Sequence, residues 1–305
     1  MLMDKIFAAF WQNTKRMDDK RIATLTPPSG VTEINDIAYL DDGHVHHQLD
    51  VYYPEGTKET DRLPVLIDIH GGGWMYGDKE LNKNYCHNLA KRGYVVFVMS
   101  YRLYPEVTAD EQLREVALSL KWINEHMDDY NCDRDRILLT GDSAGGMLAG
   151  FTALISSSAE LREAYGTVDH GLKFDAVCLT SPMLYMNPDG IVGYYTRIAI
   201  GKNFKNEKWG QYVNIDQLLR KGKMPPTILV TSSGDFLART HTLMGAEELR
   251  RNGVETKLLD FGKQPDGKEL PHVFAILYPE KAPSVDAIEE MLSFFHKHAD
   301  NKVTQ

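Results

Sequence analysis

Ser143 lies in Gly141-Asp142-Ser143-Ala144-Gly145, a Gly-x-Ser-x-Gly pentapeptide placed directly between the apolar run from Ile137 to Thr140 and a helix-like stretch. A strand turning that sharply into a helix leaves the central side chain exposed. Glycines two before and two after remove the Cβ atoms that would collide at the bend. Unpaired N–H groups at the start of the helix favour a developing negative charge there. The chemistry these residue types suit is attack of the Ser143 hydroxyl on an acyl carbonyl. Taken alone, the pentapeptide also fits a close-packed or phosphate-binding turn.

Acyl transfer needs a base, a carboxylate to orient that base, and donors for the tetrahedral oxyanion. The run from Pro226 to Ser233 reads as a buried strand that delivers Asp235, 92 residues after Ser143. The next strand is followed by Leu270-Pro-His-Val-Phe274, which delivers His272 a further 37 residues on. The order Ser, Asp, His at successive strand ends is one that supports this chemistry. Asp260 and Asp266 are fallback acids, one inside a strand and one in a Pro-Asp-Gly turn. His70-Gly71-Gly72-Gly73-Trp74 follows another strand-like run, and its glycines let the backbone approach a substrate carbonyl. The N–H groups of Gly71, Gly72 and Ala144 are the candidate oxyanion donors.

The elements that would hold these residues are short apolar runs alternating with helical stretches. The runs are Val65 to Ile69, Tyr94 to Met99, Ile137 to Thr140, Ala176 to Thr180, Thr227 to Thr231 and Glu255 to Phe261. Amphipathic helices are predicted around 81–92, 109–127, 144–157 and 240–252, with a last one near 284–298. Strands of this kind are buried on both faces, so the class is α/β, with a mostly parallel central sheet covered by helices on both sides. Ahead of it, Glu33 to Leu40 and His47 to Tyr53 flank Asp41-Asp42-Gly43 and read as a hairpin at an antiparallel edge. Ile6, Phe7, Phe10 and Trp11 share one helix face that something must cover. The interval from Pro182 to Pro226 breaks the rhythm and reads as an inserted lid.

Composition bounds the remainder. The chain has 305 residues, 43% hydrophobic and 25% charged, which suits a protein with a large core and excludes disorder and collagen-like structure. Its net charge of -9, with no basic block, argues against a nucleic-acid partner. No apolar run approaches the roughly 18 residues of a membrane span, and the N-terminus lacks the pattern of a signal peptide. Cys86, Cys132 and Cys178 are scattered without metal-ligand spacing, so a reducing compartment, the cytoplasm, is expected, with neither cofactor nor metal. His44, His46 and His47 are expected on an exposed strand face rather than around a metal.

The motifs together resemble the hormone-sensitive-lipase-like branch of the α/β-hydrolase superfamily, the bacterial family IV carboxylesterases. His70-Gly-Gly-Gly-Trp74 with Gly77-Asp78, Tyr101-Arg-Leu-Tyr-Pro-Glu106, Gly141-Asp-Ser-Ala-Gly145, Asp235-Phe-Leu237 and His272-Val-Phe274 fall in the family order, over about residues 60 to 298. The resemblance implies an α/β-hydrolase fold with a helical cap, Ser143 as nucleophile, His272 as base, Asp235 as its orienter, and Gly71, Gly72 and Ala144 as oxyanion donors. It also implies a cap built from the N-terminal segment and part of the interval after Pro182. The resulting division is 1–30 as cap segment, 31–181 as the first part of the core, 182–225 as the lid and 226–305 as the second part of the core. Two departures stand out: Arg239 occupies a position where relatives often carry a second acid, and the loop from Gly262 to Pro271 is long.

The implied activity is hydrolysis of a small-molecule ester of short acyl chain. The same residues would serve an amidase or peptidase-like hydrolase, and a non-catalytic ligand receptor on this fold is the alternative from another class. Glu106 and Asp142 are candidates for fixing loops around the site. Tyr185, Tyr194, Tyr195, Phe204 and Trp209 either line a substrate pocket or pack the lid.

Overall fold

The computed structural model describes residues 2–186 and 190–300; for 2–8 and 190–192 only the backbone course is described. Among the described residues eight strands form one sheet: β1 (Val31–Ala38), β2 (Gln48–Pro54), β3 (Leu63–Ile69), β4 (Val95–Met99), β5 (Cys132–Asp142), β6 (Ala176–Thr180), β7 (Thr227–Ser232) and β8 (Thr256–Phe261). Their spatial order is β1-β2-β4-β3-β5-β6-β7-β8. β1 and β2 pair antiparallel, as do β2 and β4, and every later pair is parallel. The expected hairpin is therefore the antiparallel edge of a parallel sheet.

The all-apolar runs become central strands because both of their faces meet helices. β4 and β6 are buried at every position. On one face lie α3 (Ala109–His126), α4 (Ser143–Ser156) and α8 (Arg239–Arg251); on the other lie α2 (Lys83–Ala90) and α10 (Ala282–Ala299). β8 departs from expectation. It has a neighbour on one side only, and its residues are half-buried or exposed rather than enclosed on both faces.

A helix absent from the sequence reading, α5 (Ala159–Tyr165), follows α4. The Ser158 hydroxyl accepts the Leu161 N–H at 3.3 Å to cap its start, and Gly166, at φ 67°, ends it. Only Leu161 and Tyr165 are buried in it, too few to print a periodicity. The interval after Pro182 contains α6 (Gly190–Ile200) and α7 (Ile215–Leu219), and the chain begins with α1 (Leu2–Ile22). After β8 comes α9 (Phe274–Leu277). Among the described residues, no helix is long and apolar enough to cross a membrane.

Candidate active site

The carboxyl ends of the parallel strands converge on one rim of the sheet, where open α/β sheets bind ligands. β3 ends at Ile69 and leads into the glycine loop, β5 ends at Asp142 and leads into Ser143, and β7 ends three residues before Asp235. β3 and β5 are direct neighbours, with Ile69 opposite Gly141, which brings the glycine loop against the serine turn.

Ser143 sits at φ 51°, a left-handed conformation costly for a residue with a Cβ, between β5 and the first turn of α4. The turn closes only because Gly145 lacks a side chain: a Cβ there would fall within contact distance of the Ile69 and His70 carbonyl oxygens. The His272 ring lies between the other two candidates, its Nε2 2.9 Å from Ser143 Oγ and its Nδ1 2.8 Å from Asp235 Oδ1. His272 is held from behind by burial of Val273 and Phe274, the latter edge-to-face with Phe261 at 5.1 Å. The structure thus brings together the three side chains singled out in the sequence.

Asp235 is buried and strongly satisfied. Its Oδ1 also accepts the N–H groups of Ala238 at 2.9 Å and Leu237 at 3.2 Å, and its Oδ2 accepts the Thr231 hydroxyl at 3.3 Å. Burial by itself would raise this carboxyl, yet the hydrogen bond and charge of His272, with the Ser181 hydroxyl and the Ala238 N–H, hold it below the usual range. The fallback acids are occupied elsewhere. Asp260 pairs with Arg239 through two nitrogens, at 3.1 and 2.6 Å, and Asp266 bonds the exposed turn at Lys268. Arg239, the departure from family pattern, thereby ties α8 to the edge strand.

The oxyanion donors need correction. Gly71, expected as one of them, gives its N–H to Asp142 Oδ1 at 3.0 Å. The N–H groups of Gly72 and Gly73 carry no hydrogen bond among the described residues, and Ala144 occupies the first turn of α4, where the backbone N–H has no partner within the helix. His70 is a packed core histidine, stacked on Tyr101 at 4.4 Å, with its Nδ1 2.7 Å from the Gly71 carbonyl. Burial pushes its pKa down to about 4, so it is neutral.

Two further expectations change. His44 to His47 form part of a turn rather than an exposed strand face: His47 is buried against Asp42 at 2.6 Å and Glu115 at 3.4 Å, and His44 lies 3.2 Å from Glu106. The segment lies between the end of β1 at Ala38 and the start of β2 at Gln48, and it meets α3 through His47 and Glu115. Glu106, half-exposed, also meets Arg102 at 3.4 Å, so it braces that turn. In α1, Phe10 is exposed while Trp11 stacks on Tyr76 at 5.6 Å; the side chains of Ile6 and Phe7 lie outside the described ones.

Of the aromatics in the interval after Pro182, Phe204 and Trp209 are buried, Trp209 stacking on Tyr165 of α5 at 5.8 Å and on Phe204. Tyr185 lies against His241, and Tyr194 is exposed. Tyr195 meets the glycine loop, donating its hydroxyl to the Gly73 carbonyl at 2.5 Å and accepting the Trp11 Nε1–H at 3.0 Å.

This strand order, with a serine turn after β5 and a glycine loop after β3, defines an α/β hydrolase. Comparison with known proteins agrees. The BD-FAE family model matches residues 49–188. Esterase B from Lactobacillus rhamnosis is 30% identical, with 98% of this chain and 96% of that one covered at a TM-score of 0.89. The chain belongs to the hormone-sensitive-lipase-like carboxylesterases. The thermostable carboxylesterase EstE1, cloned from a metagenomic library, shares the fold at a TM-score of 0.72 and 20% identity, over 96% of this chain and 97% of that one. The probable carboxylic ester hydrolase LipM of Mycobacterium tuberculosis is 31% identical over 44% of this chain and 31% of its own length. The chain spans less than half the length of LipM and of the Geotrichum candidum lipases.

Proposed function

We propose that the chain is a serine carboxylesterase acting on short-acyl esters, with Ser143 as nucleophile, His272 as base and acid, and Asp235 as the orienting carboxylate. The observation that carries this reading is the continuous path Asp235–His272–Ser143, with hydrogen-bond distances of 2.8 and 2.9 Å, ending at a serine strained into the left-handed region. His272 Nε2 takes the Ser143 proton as Oγ attacks the ester carbonyl. The oxyanion is met by the N–H groups of Gly72, Gly73 and Ala144, donors of a kind worth about 10²–10³ in rate each. Collapse expels the alcohol, which receives its proton from His272. Water, deprotonated by the same nitrogen, then releases the acid and restores Ser143.

The short-acyl part rests on the cap and on a relative. α1 and the lid, the proposed segments 1–30 and 182–225, meet over the glycine loop through Trp11 and Tyr195. Esterase B, the 30% identical relative, is known in a form inhibited by a C4-C4 tributyrin phosphonate. Cys86, Cys132 and Cys178 are all free and buried, which suits the cytoplasmic location that forms part of the same proposal.

A fluorophosphonate probe tests the reading, followed by a hydrolysis panel crossing acyl length with acetylated sugars and anilides. Covalent labelling at Ser143 and turnover of short esters are expected. An unlabelled Ser143 would favour a ligand receptor, and preference for anilides would favour an amidase.

A further inference from the structure

Two buried carboxylates beside the site take no part in the path just described. Asp68 lies in β3 and Asp142 ends β5, and both are almost fully enclosed. Asn82, in the turn that precedes α2, joins them: its Nδ2 donates to Asp68 Oδ2 at 2.7 Å and to Asp142 Oδ1 at 2.8 Å. The same Asp142 oxygen accepts the Gly71 N–H at 3.0 Å. A run of hydrogen bonds therefore leads from Asp68 through Asn82 and Asp142 to the first residue of the glycine loop.

Only one of the two carboxylates can comfortably be charged. Burial holds the Asp142 carboxyl above its ordinary range, but its Oδ1 has two donors, the Asn82 amide and the Gly71 N–H, that favour the anion. Asp68 Oδ1 is buried without a hydrogen-bond partner, which is costly for a charged oxygen and tolerable for a protonated one. The ionisable groups facing Asp68 are Tyr85 and Cys86 of α2, Tyr101 after β4, Asp142 of β5 and Cys178 of β6. Burial holds Tyr85, Cys86 and Tyr101 well above their ordinary values and Cys178 up at about 12. None of these four ionises before Asp68 itself, which burial and the Asp142 charge raise to about 8 against the hydrogen bond of Asn82.

We propose that protonated Asp68, Asn82 and Asp142 form a clamp that positions the oxyanion loop through the Gly71 N–H, and that ionisation of Asp68 loosens the loop and slows turnover on the alkaline side. The proposal rests on the esterase reading. A second buried negative charge beside Asp142 competes for the Asn82 amide and weakens the hold on Gly71, so the oxyanion donors that follow it in the chain lose their alignment. All three side chains are positioning residues, since none touches the reacting atoms.

The test is the pH dependence of kcat on a short aryl ester from pH 6 to about 9.5, background-subtracted, for wild type and Asp68→Asn. Wild type should lose about tenfold or more in kcat between its maximum and the alkaline end of the range, the scale of weakening one oxyanion donor, with KM little changed. In Asp68→Asn, which cannot ionise there, that alkaline fall should vanish. Asn82→Ala should lower kcat at every pH while KM stays within about twofold, consistent with lost transition-state alignment. Should Asp68→Asn fail to fold, infrared spectra of wild type should show one protonated carboxyl band disappearing near pH 8. A flat wild-type profile, an unchanged alkaline fall in Asp68→Asn, or no such band would each overturn the clamp. Fluorophosphonate labelling of Ser143 in the same samples separates that result from failure of the esterase reading, which would leave Ser143 unlabelled.

Discussion

The Tyr195 hydroxyl, in α6, donates to the carbonyl of Gly73 at 2.5 Å, so the segment after Pro182 is bonded to the backbone of the glycine loop. Trp11 of α1 completes the arrangement by donating to the same hydroxyl. Segments distant from the glycine loop in sequence, at Trp11 and Tyr195, thereby reach the loop proposed to supply oxyanion donors.

Tyr195→Phe removes that bond while keeping the ring. A buried hydrogen bond is worth about 1 kcal/mol, so kcat should fall by about fivefold with acyl preference retained. Steady-state kinetics over a series of aryl esters would check this. A variant changed only in KM would mean that the bond serves binding alone.

Ser143→Ala should abolish ester hydrolysis and fluorophosphonate labelling in a protein that remains folded. Asp235→Asn should lower kcat by about 10⁴ through the wrong histidine tautomer. More than a tenth of wild-type kcat in Ser143→Ala, or the larger loss appearing in Asp260→Asn or Asp266→Asn, would contradict the assignments.

Acid stability follows from the environment of Asp235. Its folded pKa lies below the ordinary value, so its charged form stabilises the fold at pH above about 4, and that contribution disappears as pH falls through the folded value. Thermal melts at steps below pH 5 should therefore show a shallower acid loss in Asp235→Asn than in wild type. Parallel curves would mean that the His272 and Ala238 contacts do not favour the carboxylate.

Gly145→Ala tests the serine turn. The added methyl would press on two backbone carbonyl oxygens that cannot rotate away, and overpacking of this kind costs about 1–3 kcal/mol or more. Denaturant unfolding should give a lower midpoint at unchanged slope. Stability equal to wild type would show that the turn relaxes.

Acyl preference should peak at or below about six carbons and fall steeply by about twelve, since each further methylene gains about 0.8 kcal/mol only while apolar surface remains to bury it. Removing residues 1–20 takes away Trp11 and should blur that limit while Ser143 still labels. An unchanged chain-length profile would place α1 outside the cap.

The candidate site was legible in the chain because each candidate residue sits at the end of an apolar run, beside glycines or turn residues of distinctive type. Ser143, Asp235 and His272 could be named, and the sheet that holds them, because period and turn chemistry are local properties. What each backbone donor does was not legible. Gly71, Gly72 and Gly73 are identical in sequence, and only the approach of Asp142, 71 residues later, takes up the first of them. Asp68 looks like one polar residue in a buried strand until Asn82 and Asp142 close around it. The edge position of β8, the burial of His47 and the division of the aromatics after Pro182 between Tyr195 at the glycine loop and Trp209 in the packing were likewise decided by neighbours distant in sequence. Burial and hydrogen-bond partnership belong to pairs of segments, and a single segment read along its length records only its own half of each.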